Sequence, residues 1–262
     1  MKVSEILQAV EQMAPRYMKM DWDNVGLLCG DPDQEVSKIL VALDPFLDVA
    51  EEAEEIGAQL VLTHHPLIFR PCKNVVESDP VGRTIRYMIR HDISAINAHT
   101  NLDCAPGGVN DVLAAQLGLR NVQVIDPQGT DEAGRAWGLL RKGTLEEQSL
   151  EDFLTAVKEN LRCPGLRYVN GGKPVRNVAV GGGACGSELM DAVHAGCDTF
   201  VTSDLKYNQF WDARDLGINL IDAGHFYTEN PVCTRLQQVM QEKFPEITTV
   251  ISKKHGDCMK FF

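Results

Sequence analysis

The sequence predicts an α/β fold: duplicated βαβ halves with mostly parallel sheets flanked by helices, plus a small inserted α+β subdomain. Three observations predict it. The apolar runs are continuous in Val, Ile and Leu rather than alternating, as in strands buried on both faces of a parallel sheet. Helix-period segments separate them, which fits crossover connections. The pattern is also used twice. A shift of 139 positions lays VSKILVALD (Val36–Asp44) over VRNVAVGGG (Val175–Gly183), and GAQLVLTHH (Gly57–His65) over GCDTFVTSD (Gly196–Asp204), without a gap. A third strand recurs at a shift of 125, ISAINA (Ile93–Ala98) over INLIDA (Ile218–Ala223).

Along the chain, Val3, Ile6, Leu7 and Val10 mark a first helix. The run ending at Asp44-Pro45 is followed by Val49, Ala53 and Ile56 at helical spacing, with Gly57 as the stop and Leu60–Thr63 as the next strand. In the second half Ser187 is the expected N-cap, Leu189, Ala192 and Val193 the inward stripe, and Gly196 the stop before Thr199–Thr202. From about Val124 to Lys173 the rhythm changes. GRAWGLLRKG and LRYVNGG read as strands around a helix that Ser149 and Asp152 cap and that Leu150, Phe153, Leu154, Val157 and Leu161 make amphipathic. EITTVISK reads as a closing strand. The expected division is 1–123 as a first α/β half holding part of a metal site, 124–173 as the inserted subdomain, and 174–262 as the half that completes the site.

Hydrophobic residues at 44% and charged residues at 24% are ordinary globular values and exclude wholesale disorder and fibrous architectures. No apolar run is long enough to span a membrane, and Glu5 and Glu11 interrupt the opening segment where an export signal would be apolar. With 37 acidic against 25 basic residues the formal charge is -12, the wrong sign for a protein that neutralises phosphates, so bulk nucleic-acid binding is disfavoured. The eight cysteines contain no C-x-x-C pair and read as reduced thiols of a cytoplasmic protein.

Candidate chemistry stands just beyond three strand ends: Thr63-His64-His65-Pro66, His99-Thr100-Asn101-Leu102-Asp103 and Gly224-His225-Phe226-Tyr227-Thr228-Glu229. Ligand sites in open α/β sheets lie outside the carboxyl ends of strands. If a helix starts near His225, then His225 and Glu229 share one face and can grip one ion. His64 and His65 would diverge on a regular strand but need not beyond its last pairing. His64, His65, His225, Asp103 and Glu229 offer more donors than one tetrahedral site uses, whereas two ions sharing carboxylates can use all five.

His99 is a candidate catalytic residue, orienting a ligand or donating a proton, with a plain backbone hydrogen bond as its simpler role. Asp204, at the repeat position of His65, is a candidate acceptor for a ligand imidazole. Asp21, Asp23 and Asn24 precede Gly26 in a polar loop, where capping is an equal alternative. The Asp48–Glu55 run is expected to be the wet side of a helix, as are Tyr207 and Asn208. A rival motif is Gly181-Gly182-Gly183-Ala184-Cys185-Gly186, formally G-x-G-x-x-G, with Asp204 beyond it at a strand end. The matching turn of the first half, Asp44-Pro45-Phe46, has no glycine, so a tight strand-to-helix corner explains the motif without a nicotinamide or flavin, and no cofactor-binding residue is assigned to it.

THHP, NAHTNLD and GHFYTE, in that order behind an early DWDNVGL, resemble the GTP cyclohydrolase 1 type 2 homolog family, the Nif-three-like dinuclear metal proteins. The likeness covers nearly the whole chain. It implies His64, His65, Asp103, His225 and Glu229 as metal ligands, and a ring-shaped homohexamer with sites facing an internal cavity. The resulting expectation is a protein with two divalent ions per chain, drawn from zinc, manganese, iron or nickel. It would be a metal-dependent hydrolase acting on a nucleotide or phosphoester-like small molecule through a metal-bridging hydroxide. The alternative is a non-catalytic metal-handling or scaffold protein forming the same ring.

Overall fold

The computed structural model describes residues 1–260. The chain divides into two compact units, Met1–Ala105 with Val232–Asp257, and Pro106–Pro231 with the segment from Cys258. In the first, α1 (Val3–Met13) buries Val3, Ile6, Ala9 and Val10. The strands β1 (Gly26–Cys29), β2 (Lys38–Ala42), β3 (Leu60–Thr63) and β4 (Ser94–Asn97) are joined through α2 (Leu47–Ile56) and α3 (Pro80–Arg90), and α4 (Thr100–Cys104) follows β4. β2, β3 and β4 are parallel neighbours, and β1 closes the β4 edge antiparallel.

Local chemistry accounts for these elements. β2, β3 and β4 are apolar without alternation because both faces are covered. Val49, Ala50 and Ala53 of α2 pack with Leu40, Val61, Ile85 and Met88 in one core. Gly57 ends α2 in the left-handed region at φ +67°, which glycine adopts without a Cβ clash. Asp79 caps α3 by accepting from the Gly82 amide at 2.7 Å, with Pro80 as the first helical residue. Glu52, expected on the wet side of α2, is instead buried, and its carboxylate accepts from the Ser252 hydroxyl and the Lys253 and Lys254 amides.

The second unit contains α5 (Val109–Gln116), β5 (Arg120–Val124), a small hairpin of β6 (Gly129–Thr130) and β7 (Ala136–Trp137), β8 (Arg141–Gln148), α6 (Leu150–Leu161) and β9 (Arg167–Val169). β10 (Val175–Val180), α7 (Leu189–His194), β11 (Thr199–Thr202), α8 (Tyr207–Leu216), β12 (Asn219–Asp222) and α9 (His225–Glu229) complete it. One six-stranded sheet runs in the order β5-β8-β10-β11-β12-β9. β10, β11 and β12 are parallel; the other pairings are antiparallel.

The stretch 124–173 is therefore not a body of its own. β8 pairs with β10, β9 pairs with β12, and Leu150, Phe153 and Val157 of α6 share a core with Val178 and Val180. Without these strands both edges of the parallel trio would carry unpaired amides and carbonyls, the feature sheets avoid. The strand expected over GRAWGLLRKG breaks at Gly138, where a Cβ would lie 2.8 Å from Val124 Cγ1. Ser149 caps α6 as expected, accepting from the Asp152 amide at 3.1 Å. Ser187 does not cap α7: it lies in a 3-10 turn, Gly186–Glu188, and its hydroxyl turns to the Glu188 carboxylate at 2.9 Å.

The chain then returns. α10 (Pro231–Lys243) leads to β13 (Thr248–Ile251), which pairs parallel with β2 and completes a five-stranded sheet ordered β1-β4-β3-β2-β13. This return is why the units differ from the expected division, since a terminal strand finds its register by pairing rather than by position in the chain. The internal repeat survives in both: β3 and β11 match residue for residue at the shift of 139, and β4 and β12 at 125.

Among the described residues no helix is long and apolar enough to cross a membrane. All eight cysteines are thiols outside any disulfide; Cys72 and Cys258 are exposed and the other six buried. Burial pushes the Cys197 thiol up to about 11, and it raises Cys29 and Cys163 as well. Iodoacetamide at pH 8 should therefore label Cys72 and Cys258 in the native protein and leave the rest until denaturant is added, as peptide mass mapping would reveal.

Candidate metal centre

The first unit gathers its donors where β3 and β4 end. His64, fully buried, follows the last residue of β3, and its Nδ1 donates to the Ala98 carbonyl at 2.9 Å. His65 is held by its own amide, which donates to the Leu43 carbonyl at 2.9 Å, and its Nδ1 meets Asp44 Oδ1 at 2.7 Å. His99 follows β4, with Nδ1 on Asp23 Oδ1 at 2.8 Å. The three rings lie 5.0 to 5.6 Å apart by centroid, and their nitrogens come within 4.8 Å of one another. Asp103, one turn beyond His99 on α4, is buried and places Oδ1 3.5 Å from His64 Nε2.

Asp23 organises this cluster from behind. Besides His99 it accepts from the Thr100 amide at 3.0 Å and the Thr100 hydroxyl, which starts α4. Burial alone would raise its carboxyl, but the hydrogen bonds from His99 and Thr100 outweigh that and hold it down at about 2. The early polar loop is thus a clamp on the site.

In the second unit His225 is the first residue of α9 and Glu229 the last, so the expected i, i+4 pair forms, with Nε2 and Oε2 3.0 Å apart. His225 Nδ1 meets Asp204 Oδ2 at 2.8 Å. Asp222, at the end of β12, accepts from the Gly224 and Leu205 amides at 3.1 Å and from Arg167, which fixes the corner before His225.

The glycine-rich turn belongs to this set. At Gly183 (φ +65°) an added Cβ would lie 2.1 Å from Glu229 Oε1 and 3.2 Å from His225 Nε2. The turn is glycine because donors approach its backbone. Its amides are engaged by side chains: Gly182 by Asn110 Oδ1 at 2.7 Å, Gly183 by Thr228 Oγ1 at 3.0 Å, and Cys185 by Thr202 Oγ1 at 3.1 Å. Those are the groups a pyrophosphate would need, and Asp204 faces an imidazole instead of a ribose.

Asp44 was not singled out in the sequence. Its signal was there: it ends the aligned first strand of the repeat, at the position that Gly183 occupies in the second half. All four imidazoles thus direct Nδ1 to a carbonyl or carboxylate. At His64 the partner is a carbonyl, which only accepts, so there the proton sits on Nδ1 and Nε2 presents the lone pair. This is the outer-shell arrangement of metal-ligating histidines.

Two predictions follow from this geometry. Gly183→Ala should lower the melting temperature more than Gly196→Ala. Both sites have positive φ, a strain of about 1–2 kcal/mol for a side chain, but a Cβ at Gly196 meets nothing within 4 Å. Asp23→Asn should destabilise the protein by roughly 1–3 kcal/mol near neutrality. Because the folded carboxyl titrates at about 2 and the free one at 3.8, its contribution is present above about pH 4 and lost as pH falls through about 2. Denaturant titrations across that range should show the two proteins converging.

The relatives agree with this architecture. A family model, Duf34/NIF3 (NGG1p interacting factor 3), matches residues 1–257. The chain is 33% identical over 264 residues to a Clostridium perfringens (strain 13 / Type A) protein named GTP cyclohydrolase 1 type 2 homolog, covering 100% of each. A Streptomyces coelicolor protein of the same name is 38% identical over 264 residues, covering 97% of this chain and 88% of the relative. The crystal structure of a Bacillus cereus protein related to NIF3 superposes with a TM-score of 0.93 at 28% identity, covering 100% of this chain and 99% of that one. A match that runs from the first residue through the closing strand and takes in all three donor-bearing strand ends means that the chain belongs to the Duf34/NIF3 family.

Proposed function

We propose that the protein is a metal-dependent hydrolase that holds two divalent ions through His64, His65, Asp103, His225 and Glu229 and acts on a nucleotide or phosphoester-like small molecule. The observation that carries this reading is the anchoring of every site imidazole through Nδ1, by Ala98 O, Asp44, Asp23 and Asp204. The fit is chemical: buried carboxylates together with imidazole nitrogens suit zinc, manganese, iron or nickel better than calcium or magnesium. Bound ions of this kind supply Lewis acidity and water activated near neutral pH.

The chain's own residues do the placing. Asp44 and Asp204 fix the tautomers of His65 and His225 and act through them. Asp103 and Glu229 each offer two oxygens and are buried, which limits competition from solvent. His99, clamped by Asp23 and packed against His64 and His65, is the group we assign to hold a proton at Nε2 for a leaving group. The proposal extends to a ring-shaped homohexamer, which the resemblance of the three strand-end motifs implies, and the eight unbridged cysteines support a reducing cytoplasmic setting.

Elemental analysis of protein purified without chelator, followed by a nucleotide and phosphoester panel on the same sample, tests the proposal. About two ions per chain are expected, with hydrolysis that chelation abolishes. Metal content should collapse in His64→Ala plus Glu229→Ala and fall in Glu229→Gln alone, a milder change that preserves folding. Less than about one ion per chain, or unchanged metal in both variants, refutes it. Full loading without turnover would favour the metal-handling alternative.

A further inference from the structure

Two large aromatic side chains stand in the open beside the imidazole cluster. Trp22 is 62% exposed and Phe69 47% exposed. Their ring centroids are 5.7 Å apart at 76°, and both reach His99, Trp22 at 6.2 Å and 73° and Phe69 at 5.9 Å and 87°. In edge-to-face packing the edge of one ring meets the face of another, and the exposure of Trp22 and Phe69 leaves ring surface of both open to solvent. An exposed indole forfeits the burial energy that a core position would return, so its position needs another explanation.

The segments that carry these rings are fastened rather than loose. Trp22 sits in a turn closed by the Asp23 amide on the Met20 carbonyl at 3.0 Å. The Met20 amide donates to Thr100 Oγ1 at 3.0 Å, and buried Asp23 locks the far side onto His99 and Thr100. The Phe69 loop is tied to the same turn, because Asn24 Nδ2 donates to the Ile68 carbonyl at 2.6 Å. A rigid aromatic surface binds at low entropic cost.

We propose that Trp22, with Phe69, is a stacking platform that positions the planar heteroaromatic ring of a substrate, a nucleobase in chemical class, against His99. The inference rests on the hydrolase reading only for the identity of the adjoining centre, and it selects the nucleotide from the two substrate classes named there. Among ring-bearing and ringless phosphates of equal charge, the platform discriminates by the ring alone. Trp22 is a positioning residue and takes no part in proton transfer.

The test uses the full-length, metal-loaded protein with guanosine monophosphate as probe and ribose 5-phosphate as the ringless control. In a Trp137→Phe, Trp211→Phe background, where Trp22 is the remaining indole, the nucleotide should quench fluorescence and the sugar phosphate should not. Equilibrium dialysis should show Trp22→Ala weakening nucleotide binding by about 5- to 150-fold, the range of one lost base–aromatic stack. Trp22→Phe should recover most of the affinity, and metal content should match the parent throughout. Equal quenching by both ligands, undiminished affinity in Trp22→Ala, or a Trp22→Ala protein that sediments as a smaller assembly, meaning a second copy covers the ring, would overturn the proposal. Elemental analysis of the same sample separates the two readings: ring-dependent quenching in protein purified without chelator that proves to hold no metal upholds the platform while the hydrolase fails. Full metal loading without quenching sinks the platform alone.

Discussion

Every candidate imidazole depends on one repeated hydrogen bond, between an Nδ1 just beyond a strand end and a fixed carbonyl or carboxylate oxygen. A free histidine rotates about two side-chain bonds and exchanges between tautomers. Each of the four here is stopped in both respects by a carbonyl or a carboxylate that the sheet has already positioned. The parallel strands matter because they bring their carboxyl ends to one side, where short loops carry donors with little freedom. Removing an acceptor would free the ring to turn and leave its tautomer unfixed.

The duplication explains how such a set arises. Within each unit the three parallel strands of the repeat end side by side, but the two halves use those ends differently. In the first, the second strand end carries His64 and His65, the first supplies Asp44 as the support of His65, and the third supplies the Ala98 carbonyl for His64. In the second, the second strand end supplies the support, Asp204, and the third carries His225 and Glu229. The first strand end of that half has become glycine, since a side chain there would strike the carboxylate. One scaffold thus hosts two complementary arrangements of ligand and acceptor.

Much of this was legible in the residues. The repeat register placed β3, β4, β11 and β12 because buried strands tolerate few insertions, and the strand-end motifs HHP, HTNLD and HFYTE marked the donors. The glycine turn was ambiguous, since close approach to a ligand set and close approach to a pyrophosphate ask for the same residue. What stayed hidden depended on pairing between distant segments. Nothing local in Arg167–Val169 says that it borders β12, and nothing in Ser252–Lys254 says that Glu52 will be buried beneath it. The GRAWGLLRKG run looked continuous because a steric demand from Val124 is invisible in the run itself.

The closing strand has a further consequence for how the molecule is made. β13 covers the open side of β2, so the first unit, although most of it leaves the ribosome early, keeps one raw sheet margin until the last of the sheet emerges. Throughout synthesis of the second unit that margin is available to any passing extended segment. Biogenesis of this chain therefore favours either a companion that shields β2 or a second unit that folds fast enough to shorten the wait.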